Sequence, residues 1–180
     1  MNVTDAAMMA EFLELELARA ECRKGDGGAL IVFRPTFSVE CVVSLCWRGL
    51  GTMSVRTPTQ SVWQFIQSRK GGQSYPPHAG FVRPALSNEV LENLECDAAQ
   101  AAFTAAFAEE KAPCAGGIDG TCIDLELFHG GSERRFELHS LTSSPRHPVW
   151  RFVDAVLELT SQCTWHSSRS SLDALRLSLR

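Results

Sequence analysis

The chain has 180 residues, of which 44% are hydrophobic and 21% are charged, and its formal net charge is −4. These values are typical of one globular domain, and the sequence lacks the roughly 18 consecutive apolar residues that form a transmembrane helix. An acidic total without a basic run also argues against nucleic acid as a partner, because phosphate binding requires clustered Lys and Arg.

Residues 1–28 are predicted to form an N-terminal extension of a single domain. Acidic residues at positions 11, 14 and 16 precede any apolar run. This is not the pattern of a secretory signal, so we expect a cytoplasmic protein. Alternating leucines at positions 13, 15 and 17 resemble a strand, but the overall content of Ala, Glu, Leu and Met favours a helix from Ala6 to Cys22.

The following segment is predicted to form an antiparallel meander. Strands are expected at 29–34, 38–47 and 52–56. The first contains the β-rich run Leu30-Ile31-Val32-Phe33, and the second has apolar residues at alternate positions from Val39 to Leu45. A short helix is expected at 61–70, followed by a loop and a brief strand near 80–83.

A longer helical region is predicted from Ser87 or Asn88 to about Glu110. Ser and Asn are good N-caps, and Glu89 and Glu92 would lie near the positive end of the helix dipole. A break at Cys96-Asp97 is expected to divide this region.

The clearest pattern in the chain is a β-hairpin. Two alternating runs, 122–128 and 133–141, flank His129-Gly130-Gly131-Ser132. The alternation places Ile123, Leu125 and Leu127 towards the core and Asp124 and Glu126 outward. Beyond the hairpin, apolar residues at helical spacing predict an amphipathic helix at 147–162, and residues 163–180 form a C-terminal tail.

These elements together predict an α+β fold in a single domain comprising residues 1–180. An antiparallel β-sheet, made of the meander and the C-terminal hairpin, is expected to be packed on one side by the helices near 88–110 and 147–162.

Seven cysteines are distributed irregularly along the chain. An odd number without a secretory signal predicts reduced thiols that act as small core residues. Neither these cysteines nor the five histidines have the paired spacing of a zinc site, and no Gly-x-Ser-x-Gly sequence occurs. The sequence therefore predicts no metal ion, no cofactor and no catalytic residue.

The acidic residues are concentrated in one segment. Residues 86–126 contain nine Asp and Glu but only one basic residue, Lys111, which gives this segment a net charge of −8. A solvated helix face would explain such a segment, but so would a surface that steers a basic protein partner. The residues predicted to bind that partner are Glu92, Glu95, Glu109, Glu110, Asp119 and Asp124.

Residues from about Ala29 to Gln162 resemble a broad group of poorly characterised bacterial cytosolic proteins. The resemblance rests on Arg34-Pro35-Thr36-Phe37, on Gly117-Ile118-Asp119-Gly120 before a strand pair, and on Ser144-Pro145 before an apolar helix. In these motifs the chain is similar to small α+β immunity proteins that neutralise interbacterial toxins. The resemblance implies a cytosolic protein that binds and occludes a toxin with a basic surface. The alternatives are a small Cys- or His-dependent hydrolase or transferase, and a structural adaptor.

Overall fold

Six β-strands form the centre of the molecule in a computed structural model that describes residues 3–35, 39–70, 84–111, 121–139, 147–163, 165, 168–170 and 172–173. Neighbouring strands are antiparallel throughout this part of the chain, in the order β4-β3-β2-β1-β5-β6. The strands are β1 (Gly27–Pro35), β2 (Cys41–Arg48), β3 (Leu50–Pro58), β4 (Leu86–Leu94), β5 (Thr121–His129) and β6 (Ser132–His139). The predicted meander corresponds to β1, β2 and β3, and the predicted hairpin to β5 and β6, so the α+β fold class is confirmed.

Strand β1 lies inside the sheet, between β2 and β5. Its residues from Ala29 to Phe33 are all buried. A strand that is covered on both faces needs apolar residues at every position rather than at alternate ones. This explains why the run Leu30-Ile31-Val32-Phe33 does not alternate.

Two helices cover one face of the sheet. They are α4 (Asp97–Phe107) and α5 (Pro148–Gln162), and they pack on the side chains of Ile31, Val43 and Leu125. The last helix begins as predicted: Pro148 occupies its first turn, and the His147 side chain accepts a hydrogen bond from the Val149 amide at 3.3 Å.

Three further helices cover the opposite face, a second layer that the sequence did not predict. They are α1 (Val3–Phe12), α2 (Leu15–Cys22) and α3 (Val62–Lys70). The break between α1 and α2 occurs where Glu14 has a φ of 53°, which is a left-handed conformation. Residues 3–22, expected as part of an extension, thus supply core side chains, of which Leu13 and Ala18 are fully buried.

The side chain of Glu126 does not face solvent, contrary to the sequence-based expectation. It points away from α4 and α5, as the alternation requires, but it meets α2 and is only 7% exposed. The Arg19 guanidinium donates to both of its carboxylate oxygens, from Nε at 2.8 Å and from Nη2 at 2.6 Å. The prediction failed because an opposing helical layer covers this face.

The first half of the predicted helix at 87–110 is a strand instead. Residues Leu86 to Leu94 pair with β3, from Pro58↔Leu86 to Gly51↔Leu94. The unpaired edge of β3 offers this segment a full ladder of backbone hydrogen bonds, and such tertiary pairing overrides a weak helix propensity. The helical part begins at Asp97, where the break was predicted. The brief strand predicted near 80–83 lies outside the described residues.

Part of the C-terminal tail packs on the core. Trp165 and Leu172 are buried, and the Trp165 indole donates to the Thr160 carbonyl at 2.7 Å. The Ser168 amide donates to the Glu89 carboxylate at 2.8 Å, which connects the tail to β4.

Candidate partner-binding surface

Two of the predicted partner-binding residues lie at the end of β4. Glu92 is on the strand and Glu95 follows it, and both are exposed. The register of β4 against β3 shifts between Gly51 and Met53, and Asn93 in this irregularity has a φ of 60°. A bulge of this kind bends and twists an edge strand. This acidic end of β4 therefore lies where regular pairing with β3 stops.

Two more of the predicted residues follow α4. Glu109 is half-buried and Glu110 is exposed, whereas Asp97 is exposed in the first turn of the same helix. Because α4 has 11 residues, about 16 Å of helix separates Asp97 at its start from Glu109 and Glu110 beyond its end. We call Glu92, Glu95, Asp97, Glu109 and Glu110 together the acidic surface.

The carboxylates of the acidic surface have no ion-pair or hydrogen-bond partner within the described residues. Some acidic side chains elsewhere are paired: Glu133 with Arg23 and Arg135, and Glu126 with Arg19. Glu109 and Glu110 also lie at the negative end of the α4 dipole, where carboxylates are unfavourable. Within the part of the chain that the structure describes, no cation therefore pairs with the carboxylates of the acidic surface.

Asp124 lies away from this surface. It is on β5, and β3, β2 and β1 separate that strand from β4, which corresponds to about 19 Å. Its carboxylate accepts a hydrogen bond from Arg34 at 2.6 Å. Burial raises the pKa of Asp124, and the Arg34 guanidinium opposes this increase. Asp119 lies outside the described residues. The structure thus brings four of the six predicted residues to β4 and α4.

An aromatic cleft adjoins α4. It has a volume of about 210 Å³ and is lined by Trp47, Gln100, Phe103, Thr104, Phe107 and His129. The Trp47 and Phe103 rings meet edge to face with centroids 4.9 Å apart, and the His129 ring lies 5.6 Å from that of Phe107. His129 Nδ1 donates to the Asp26 carbonyl at 2.9 Å, which leaves Nε2 as the acceptor in the neutral imidazole.

The sequence did not predict this cleft. It gave one signal, the spacing of Phe103 and Phe107 by one helical turn, which predicted a buried stripe. Phe103 is buried as expected, but Phe107 is only half-buried. The cleft forms where α4 contacts the ends of β2 and β5. These segments are far apart in the sequence, so no local pattern of residues predicts the contact.

The described cysteines are free thiols, and several of them have a raised pKa. Burial raises the pKa of Cys41 to about 12 and that of Cys122 to about 11, and it also raises the pKa values of Cys46 and Cys163. A nucleophilic cysteine needs a lowered pKa, because the thiolate is the reactive form. The shifts of these four thiols are therefore opposite to the one that a nucleophilic cysteine needs.

Among the described residues, none of the helices has both the length and the apolarity to cross a bilayer. Comparison with known proteins finds no family model and no curated protein that matches the chain. The resemblance to immunity proteins therefore stays a prediction.

Proposed function

We propose that this chain is a cytosolic immunity-type protein that binds and occludes a bacterial toxin through the acidic surface. The observation that carries the proposal is the set of exposed or half-buried carboxylates at β4 and α4 that have no partner among the described residues. Unpaired charges of one sign raise the rate at which an oppositely charged protein associates. A toxin whose substrate site is basic has the complementary charge.

The aromatic cleft supports the proposal in a second way. Interface energy is concentrated in a few aromatic and Arg anchors rather than in rim charges. A Lys or Arg side chain of the partner fits a cleft of aromatic faces, because a cation is attracted to the ring quadrupole. The acidic surface would steer the partner, and Trp47 and His129 would hold it, beside the Phe107 ring, whose centroid lies 6.0 Å from the guanidinium of Arg134.

The experiment compares the wild-type chain with a variant in which the acidic surface is reversed. The variant carries Glu92→Lys, Glu95→Lys, Glu109→Lys and Glu110→Lys. Both proteins are immobilised to capture partners from a bacterial lysate, and each captured protein is then expressed in a test bacterium with and without the chain. We expect a captured protein that inhibits growth, growth restored by the wild type, and association slowed roughly tenfold or more in the variant.

A control variant tests whether the position of the reversed charge matters, rather than the change of charge alone. The single reversal Glu11→Lys on α1, on the opposite face of the sheet, is compared with the single reversal Glu92→Lys and should leave association unchanged. The wild-type association rate should also fall as salt increases, since the Debye length shortens from about 10 Å at 0.1 M to about 3 Å at 1 M. A captured protein that does not inhibit growth, or a reversed variant that protects and associates like the wild type, would contradict the proposal.

A further inference from the structure

Three metal-binding side chains meet on the β5–β6 hairpin, away from the acidic surface. Cys122 lies directly opposite His139 in the ladder, and Glu137 is two residues before His139 on the same face of β6. The side-chain donor atoms of these three residues all lie within 4.8 Å of one another. We call Cys122, Glu137 and His139 the hairpin cluster.

The spacing of the donor atoms is close to that of a tetrahedral zinc site. Bond lengths of about 2.3 Å to sulfur and about 2.0–2.2 Å to nitrogen and oxygen place tetrahedral ligands roughly 3.4–3.6 Å apart. Cys122 Sγ lies 3.5 Å from Glu137 Oε1, and His139 Nε2 lies 4.0 Å from the same oxygen. The first pair already has this separation, and the remaining donor atoms, which all lie within 4.8 Å of one another, would have to approach by at most about 1.4 Å to take the geometry of zinc ligands.

The neighbouring charges are also consistent with a bound divalent cation. Arg34 Nη2 donates to Cys122 Sγ at 3.2 Å and to Asp124 Oδ1 at 2.6 Å, and it lies 3.9 Å from Glu137 Oε1. The carboxylate of Asp124 neutralises this guanidinium, while a Cys122 thiolate and the Glu137 carboxylate together would neutralise a divalent ion. An N–H donor to a metal-bound thiolate is a common supporting contact around such sites.

We infer that the hairpin cluster binds a borderline divalent metal ion, Zn²⁺ foremost, through Cys122, Glu137 and His139. The mixture of sulfur, imidazole and carboxylate donors favours zinc over the hard cations Mg²⁺ and Ca²⁺, which take oxygen ligands. Binding replaces the thiol proton, which passes to solvent. The Glu137 side chain is 66% exposed, so water has access to the fourth coordination position.

The test is a Co²⁺ titration of the reduced, metal-free chain, followed by displacement with Zn²⁺ against a chromophoric chelator. Tetrahedral Co²⁺ with a thiolate ligand gives a near-ultraviolet charge-transfer band. We expect this band in the wild type and its loss in Cys122→Ser. Affinity for Zn²⁺ should fall at least 10- to 100-fold in His139→Gln and in Glu137→Gln, and less in Asp124→Asn, which acts through Arg34.

Controls change the same residue types elsewhere. Cys46→Ser and His129→Gln should retain the band and the Zn²⁺ affinity of the wild type. Because Glu137 is exposed, Glu137→Gln remains informative even where Cys122→Ser fails to fold. Absence of a charge-transfer band in the wild type, or equal Zn²⁺ affinities for the wild type and Glu137→Gln, would overturn the inference.

Discussion

Arg56 is a fully buried cation beneath α2. Its Nη1 donates to Ser54 Oγ at 2.7 Å and its Nη2 donates to Glu21 Oε2 at 2.8 Å, and its side chain is 0% exposed. The Glu21 side chain is 35% exposed, so water reaches one member of the pair and not the other. Removal of Glu21 therefore leaves a charge that water cannot reach, whereas removal of Arg56 leaves a charge that water can solvate.

We predict that removing the anion is more costly than removing the cation. Glu21→Gln leaves an uncompensated buried charge and should cost about 3 kcal/mol, whereas Arg56→Met fills the space with an apolar chain and leaves a carboxylate that water can solvate, at about 1 kcal/mol or less. Urea unfolding of the two variants and of the double variant measures this difference. Equal losses in the two single variants would contradict it.

Single residues also show where sequence reasoning reached its limit. The exposure of Glu92, Glu95 and Glu110 follows from their charge, and it was predicted correctly. The pairing of Asp124 with Arg34 joins residues 90 positions apart. Alternation along a strand identifies the face on which a side chain lies, but it carries no information about what covers that face.

Among the helices and strands, the β5–β6 hairpin depends most on its own local sequence. Gly130 has a φ of 56° and Gly131 a φ of 79°, and they form a two-residue loop between the paired residues His129 and Ser132. Positive φ at both positions is the requirement of a type I′ turn, whose twist matches that of the flanking strands. The turn thus fixes the register that buries Leu125.

We predict that a side chain added in this turn lowers the free energy of unfolding only through the conformation of its backbone. A Cβ added at Gly131 meets no atom within 4 Å, so Gly131→Ala should lose about 1–2 kcal/mol through its left-handed backbone alone. The control is Gly130→Asn, which should be close to neutral because Asn tolerates this conformation. Urea unfolding measures both variants, and a neutral Gly131→Ala would show that the turn has a different backbone.

Strand β4 shows the opposite balance between local and long-range effects. Its sequence from Ser87 to Glu92 contains good helix-capping residues, yet it forms the edge of the sheet. The competing partner, the free edge of β3, lies 28 to 43 residues earlier in the chain, from Pro58↔Leu86 to Gly51↔Leu94, and has no signature in a short window. Elements with a strong internal pattern, such as α5 and the hairpin, were therefore predictable, whereas β4 was not.

At the scale of the whole molecule, α2 connects strands that do not touch each other. Arg19 binds Glu126 on β5 and Glu21 binds Arg56 on β3, while β1 and β2 lie between those strands. Residues 3–22 therefore complete the core of the sheet rather than extend from it.

We predict that removing residues 1–23 abolishes cooperative unfolding. The deletion uncovers Leu30, Val32 and Val42 and leaves Arg56 and Glu126 without the ion pairs that they form with α2. The truncated chain should bind a hydrophobic dye and lose its sharp thermal transition. As a control, Leu17→Ser on the exposed side of α2 should unfold like the wild type, and an unchanged transition in the truncated chain would refute the prediction.

The position of β1 between β2 and β5 has a consequence during synthesis. Ile31 pairs with Val43 shortly after it is made, but its other neighbour, Leu125, follows much later. At about 5–20 residues per second, the nascent chain waits roughly 5–20 seconds for β5. Throughout this interval an apolar strand has one bare edge, which is a template for pairing with other chains. Misassembly on the ribosome is therefore to be expected at β1 first, and refolding of the complete chain should be limited by the closure of β5 onto it.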